Sequence, residues 1–252
     1  LLGPRWAFVP LGVGMALGHA MLAAKLGPDS PLADPIVYGI VSDGDLMEGV
    51  AAEAASFAGH NRLGRLVYLY DDNEITIDGR TSIAFTGEDV TKRFEGYGWH
   101  VQAVDGRDHE GIHRALEAAR AEKGKPSLVR VRTTIGFGSP GKAGKSSVHG
   151  APLGEEELKA TKKHLGWPEE PRFLVPDDVR KFWAEVQAEK AEGVAAARAR
   201  ERSWRAANPE AAALLDVHRE HLVHLAHVDA HAAMGREHVA FERSAHAVRD
   251  DR

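Results

Sequence analysis

The sequence predicts an α/β fold, a parallel sheet with helices on both faces, followed by a C-terminal helical tail. Three observations carry this reading. Residues 36–41 (IVYGIV) and 65–70 (RLVYLY) are short, almost wholly apolar runs, the pattern of strands covered on both faces. Segments of helical period, ten to fifteen residues long, alternate with such runs, and that alternation builds parallel sheets. Near residue 177 the character changes, and 177–207 becomes one long charged helical pattern.

The elements follow in order. Residues 11–26 (LGVGMALGHAMLAAKL) are small and apolar at helical spacing, and read as a buried helix packed closely on a sheet. Pro28, Pro31 and Pro35 punctuate a loop before the strand at 36–41. Leu46 to His60 is an Ala-rich helix, and 65–70 the next strand. Residues 75–78 (ITID) alternate before Gly79, as a short strand entering a turn would. Thr86-Gly87-Glu88-Asp89 marks a helix start, with carboxylates in the first turn. Residues 99–104 read as a strand, 108–122 as a helix and 127–134 (SLVRVRTT) as a strand. Pro209 breaks the long helix, and 210–248 is rich in Ala, Glu and His.

Composition bounds the function. The 252 residues carry a formal net charge of −5, so no general attraction to nucleic acid or an anionic membrane is expected. With no cysteine there is no disulfide, thiolate-metal site or cysteine nucleophile, which fits a reducing cytoplasm. No apolar run is read as approaching the roughly 20 residues that span a bilayer. The chain opens Leu1-Leu2-Gly3-Pro4, without initiator Met or signal peptide, and is expected to begin mid-fold.

In parallel sheets ligands sit beyond the carboxyl ends of the strands, so the residues after Val41, Tyr70 and Thr134 are the first places to look for chemistry. Ser42-Asp43-Gly44-Asp45-Leu46-Met47-Glu48-Gly49 follows the first strand. Asp43 offers a hard anionic oxygen, Gly44 permits a tight turn and close backbone approach, and Mg²⁺ suits carboxylate, amide and phosphate oxygens. The plainer alternative is that Asp43 or Asp45 caps the helix from 46. Asp71-Asp72-Asn73-Glu74-Ile75-Thr76-Ile77-Asp78-Gly79 follows the second strand, where the Asn73 amide and the Ile75 carbonyl could reach the same metal. Taken singly, Asp71, Asp72 and Asp78 read better as an Asx-rich turn.

Together the two segments resemble the thiamine diphosphate motif: a GDG-like start, an interval of about thirty residues and an Asn end. The wording DGDLMEG, EAASFAGH, LVYLYDDNEITIDG, EDVTKRFEGYGWHV, KPSLVRVRTTIGFGSP, HGAPLG and LGWP resembles transketolases, from about Gly12 to Trp183. The resemblance implies the thiamine-diphosphate-binding fold, with thiamine diphosphate and Mg²⁺ (or Ca²⁺) as cofactors. It implies Asp43 and Asn73 as side-chain metal ligands, the Ile75 carbonyl as a third, and Gly44 against the diphosphate. It implies Glu48 as a buried glutamate near a dimer interface, Ile77 and Ile135 beside the thiazolium ring, and His149 on the diphosphate near substrate as the catalytic candidate. Outside the resemblance, His149 reads as polar surface of a glycine-rich loop. The loop from Gly136 to Gly144 is flexible by composition, able to close over a ligand or to serve as a plain connection. His218, His221, His224, His227 and His231 recur at helical spacing; a solvated helix face or an irregular tail is favoured over a metal site.

The sequence also departs from the family. Gly3-Pro4-Arg5-Trp6-Ala7-Phe8 stands where a GPLGQG-like run is usual, for which a local reading-frame error, restored downstream, is one explanation. Ser42 replaces the first glycine of the GDG, and a Ser resists positive φ. No segment after Trp183 resembles the pyrimidine-binding domain. The expected division is 1–190 for the diphosphate-binding domain, incomplete at its N-terminus, and 191–252 for a helical tail. The function implied is transfer of a two-carbon ketol unit between sugar phosphates in the cytoplasm, within a homodimer or with a partner chain that carries the pyrimidine-binding domain. The alternative is an inactive remnant or binding module; a dihydroxyacetone synthase or phosphoketolase ranks lower on the TIDG and HGAPLG wording.

Overall fold

The computed structural model describes residues 8–27, 29–31, 34–84 and 87–217. In chain order the elements are α1 (Phe8–Leu26), β1 (Val37–Ser42), α2 (Asp43–Met47), α3 (Gly49–His60), β2 (Leu66–Asp72), α4 (Val90–Gly96), β3 (His100–Asp105), α5 (His109–Ala121), β4 (Ser127–Arg132), α6 (Glu155–His164) and α7 (Asp177–Ala207). Single 3₁₀ turns lie at Thr81–Ile83 and Ser146–Val148. The four strands form one wholly parallel sheet in the order β1-β2-β4-β3.

The apolar strand runs and the small-residue helices explain the layers. On one face, α1, α3 and α4 bury Val9, Val13, Ala55, Ala58 and Phe94 against Leu66, Tyr68 and Leu128. On the other, Ala115 and Ala119 of α5 meet Val67, Val129 and Val131. Buried aromatics end in satisfied donors: the Tyr68 hydroxyl donates to the Val9 carbonyl at 2.7 Å, and the Trp99 indole to the Ala55 carbonyl at 2.8 Å. Glycine makes this possible, because a Cβ at Gly12 would lie 2.1 Å from the Tyr68 hydroxyl oxygen, and one at Gly39 2.4 Å from its ring.

Five expectations are corrected. The strand at β1 is not covered on both faces: it is an edge strand of the described sheet, with Tyr38 and Ile40 exposed. Its helix α1 buries one stripe (Val9, Gly12, Val13, Ala16), while Leu11, Met15 and Met21 are exposed. The 19-residue α1 is also long and apolar enough by composition to cross a membrane, unlike the expectation that no run approaches that length; here it packs on β1, β2 and α3. Residues 46–60 are not one helix, since Glu48 adopts φ −69°, ψ 131° and separates α2 from α3. Residues 75–78 make no strand, only an isolated antiparallel bridge of Ile75 with Arg80.

The chain divides into two compact units, Leu1–Ala191 and Glu192–Arg252. In the second, Asn208 ends α7 with bonds to the Trp204 carbonyl, and residues 209–217 are again helical. There Arg205 bonds Glu201 and Asp216, and Trp204, Ala212 and Leu215 are buried. His218, His221, His224, His227 and His231 lie outside the described residues, as do Leu1 to Ala7 with Trp6.

Candidate functional site

β1 and β2 are parallel neighbours, so both deliver their carboxyl ends to the same edge of the sheet. The register pairs Ser42 with Asp71, which sets Asp43 beside the start of the turn that carries Asn73. Ser42 has φ −112° and ψ 174°, extended backbone that any residue adopts, so a serine replaces glycine here without strain. Its N–H and its hydroxyl both donate to Asp45 Oδ2 at 2.8 Å. Asp45 is therefore the carboxylate that secures the start of α2, and Asp43 is free for another task. Gly44 takes no left-handed conformation; a Cβ there would meet only the Ser42 hydroxyl oxygen, at 4.0 Å, so glycine is not required here for a turn.

Asp43 is 6% exposed. Its Oδ1 accepts the Tyr70 hydroxyl at 2.6 Å and its Oδ2 the Glu74 N–H at 3.1 Å. Burial pushes its carboxyl above the ordinary 3.8, opposed by the Tyr70 and backbone donors. Among the described residues no Lys, Arg or His pairs with it. Asp72 makes the contrast. Also buried, it is paired with Arg130 Nε at 2.7 Å and with an Arg132 guanidinium nitrogen at 3.3 Å. Tyr70 sits between the two carboxylates, its oxygen 3.4 Å from Asp72 Oδ1, and its phenol is driven far above its ordinary value by burial and by Asp43.

The turn after β2 is fixed from several sides. Asn73 Oδ1 accepts the Ile75 N–H at 2.9 Å, and its Nδ2 donates to Asp71 Oδ2 at 3.0 Å. Asp71 Oδ1 in turn accepts the Thr133 hydroxyl. Glu74 takes the left-handed conformation, φ 59°, rare for a residue with a side chain. Its carboxylate meets Arg132 at 2.8 Å and Arg80 at 3.6 Å. Thr76 and Gly79 then close the turn through a 2.7 Å backbone bond.

Two clefts open at this edge. One, of about 820 Å³, is lined by Gly44, Glu48, Asn73, Ile75, Ile77, Ile135 and His149. Asp43 lines the adjoining cleft of about 470 Å³ with Tyr70, Asp72, Arg93 and Arg130, and Met47, Arg80 and Thr81 border both. All the residues singled out from the sequence thus stand at one edge, but Asp43 opens to a different cleft from the other seven. Glu48 is exposed on this chain, so the burial that the resemblance implies for it is not found within one chain. Ile77 is exposed over the larger cleft, and Ile135 and His149 are half-buried. The 136–144 loop is tied down: Ser139 and the Gly141 N–H both bond Glu157, Lys142 reaches the Leu153 carbonyl, and the Gly144 N–H the Ile135 carbonyl. Sequence reasoning passed over Tyr70, Thr133, Ile83 and Val148; the last two add apolar lining. Tyr70 could have been noticed as the last inward-facing tyrosine of a strand that ends in carboxylates.

The donor set fits a hard divalent cation. It offers a buried carboxylate with no cation partner among the described residues, an amide oxygen and a carbonyl, all oxygens, as Mg²⁺ and Ca²⁺ require. The family model described as "Transketolase, thiamine diphosphate binding domain" matches residues 3–222. The chain belongs to the transketolase family. A transketolase from Nostoc sp. is 52% identical over 183 residues, 71% of this chain and 27% of that protein. One from Geobacillus stearothermophilus is 45% identical over 216 residues, 84% of this chain and 32% of that protein. The transketolase structure from Leishmania mexicana matches with a TM-score of 0.79 at 40% identity, covering 84% of this chain and 32% of that one. The chain therefore spans about a third or less of the length of the transketolases it matches.

Proposed function

We propose that this chain is the diphosphate- and metal-holding part of a transketolase, which transfers a two-carbon ketol unit between sugar phosphates. The observation that carries the reading is the buried Asp43 carboxylate, without a cation partner among the described residues, at a strand tip beside Asn73, in a chain that belongs to the transketolase family. A buried carboxylate costs several kcal/mol, of order 3–5, when it lacks a compensating positive charge. A divalent ion at this edge supplies that charge.

In this reading Asp43, Asn73 and the Ile75 carbonyl hold Mg²⁺ or Ca²⁺, and Gly44 leaves room for the diphosphate. Ile77 and Ile135 provide an apolar wall for the thiazolium ring. His149, the candidate catalytic residue, lines the same cleft and would contact the diphosphate near substrate. When bound, thiamine diphosphate supplies an electron sink for carbanion chemistry, while the protein orients it and excludes water. Glu48, exposed on this chain, is assigned to a surface covered by a second copy or by a partner chain that brings the pyrimidine-binding domain. Sugar phosphates as substrates are supported by relatives such as the Pichia stipitis transketolase described as a complex with sedoheptulose-7-phosphate, 42% identical with a TM-score of 0.76. The domain division at 190/191 is supported by the two compact units.

Calorimetry tests the reading. The chain should take up thiamine diphosphate only with Mg²⁺ or Ca²⁺ present, and Asp43→Ala should abolish the uptake while leaving the circular dichroism spectrum intact. Equal affinity in wild type and Asp43→Ala removes the metal role of Asp43.

A further inference from the structure

Asp43 is held from two directions. The Tyr70 hydroxyl, from the end of β2, donates to Oδ1 at 2.6 Å; the Glu74 N–H, from the turn beyond, donates to Oδ2 at 3.1 Å. Each oxygen uses one lone pair and keeps another. The plane of the carboxylate is thereby fixed, and an acceptor site remains on each oxygen for a cation.

Tyr70 has a single proton and two carboxylates within reach, at 2.6 Å and 3.4 Å. What separates them is charge compensation. Asp72 is already matched by Arg130 and Arg132, whereas Asp43 is matched by no cation among the described residues. The proton goes to the oxygen with the larger uncompensated charge. Arg132 also binds Glu74 at 2.8 Å, so one guanidinium links Asp72 to the residue whose N–H holds Asp43 from the other side.

We propose that Tyr70 is a positioning residue for the metal-binding carboxylate of Asp43, and that the Asp72–Arg130–Arg132 cluster directs its proton there. The inference rests on the metal-holding reading above. Partners that orient a metal ligand typically contribute 10–100-fold in metal affinity.

The test is titration of Mg²⁺ into the 252-residue chain with thiamine diphosphate, followed by calorimetry, for wild type, Tyr70→Phe and Tyr68→Phe. Tyr68 is the control: it lies two residues earlier on the same strand, is equally buried, and spends its hydroxyl on α1 carbonyls. Tyr70→Phe should weaken Mg²⁺ about tenfold or more, while Tyr68→Phe lowers the melting temperature without moving the Mg²⁺ affinity. Equal Mg²⁺ affinity in wild type and Tyr70→Phe overturns the inference and leaves the metal-holding reading standing. A wild-type chain without Mg²⁺-dependent uptake overturns both.

Should Tyr70→Phe not fold, Arg130→Gln decides by the sign of its effect. Removing a positive charge beside a cation site tightens Mg²⁺ binding by simple electrostatics. Releasing Asp72 to compete for the Tyr70 proton weakens it. Weaker binding supports the positioning role, and unchanged or tighter binding refutes it.

Discussion

The pair of Asp72 with Arg130 yields a stability prediction whose direction is set by unequal burial. The Asp72 side chain is 3% exposed, Arg130 37% and Arg132 47%. Truncating the buried member releases the arginines to water, and Arg132 keeps Glu74 at 2.8 Å. Asp72→Asn also retains an acceptor for Arg130 Nε, so its cost is that of weakened charge-assisted hydrogen bonds, about 1–2 kcal/mol. Truncating Arg130 strands the carboxylate instead. Leaving a buried charge uncompensated costs about 3–5 kcal/mol, which Arg132 at 3.3 Å reduces to roughly 2–4 kcal/mol for Arg130→Gln. The exposed partner should therefore be the more damaging one to remove. Because the two side chains touch, the double variant should cost less than the sum of the two singles. Urea unfolding followed by circular dichroism reads the difference, and so does the midpoint of thermal unfolding, at about 2–4 °C per kcal/mol for a chain of this size. If Asp72→Asn costs as much as Arg130→Gln, the stranded-charge argument is wrong.

Two further predictions follow from the same edge and from the core. Glu74 is held below its ordinary value of 4.5 chiefly by the Arg132 hydrogen bond, so its contribution is complete above that value and is lost as pH falls through the lowered folded value. Glu74→Gln should flatten the acid limb of the stability profile below about pH 4.5, leaving the neutral region nearly parallel to wild type, and urea midpoints across pH 3–7 check it. In α3, a Cβ on Gly59 would lie 1.8 Å from the Tyr97 carbonyl oxygen, a backbone atom that cannot swing aside, whereas Gly49 has nothing within 4 Å. Gly59→Ala should lose about 3 kcal/mol or more. Gly49→Ala should be neutral or gain up to about 1 kcal/mol, and differential unfolding of the two variants measures both.

Much of the fold is legible in sequence because local periodicity is a strong signal where one face is buried. β2 and α5 fall within two residues of the expected spans, since their apolar patterns face the two sides of one sheet. Errors arise where local pattern and tertiary setting disagree. The apolar run at β1 says nothing of whether a neighbour covers Tyr38 and Ile40. The break at Glu48 is marked only by the adjacent Gly49, a signal outweighed by the Ala-rich helical run that follows it. ITID alternates, yet Thr76 and Gly79 satisfy each other across a turn, which leaves no ladder for a strand to join. The proposed ligands were legible as a pair of motifs thirty residues apart. Their supports were not, because Thr133 reaches Asp71 across 62 positions and Arg130 reaches Asp72 across 58.

That difference bears on how the site residues should be weighed. Asp43 and Asp72 are the same residue type, both buried, both at the tips of adjacent strands, and both within reach of one tyrosine. Nothing in their local sequence says that one is matched by arginines and the other, the proposed cation ligand, is not. The distinction comes from β4, which sends Arg130 and Arg132 to Asp72 and no charge to Asp43. An arginine reaching Asp43 in place of Asp72 would exchange their roles with every motif residue unchanged. A site of this kind therefore has to be traced through the strand that brings the compensating charge, because the carboxylate it leaves unmatched is the one that the proposal above assigns to a metal ion.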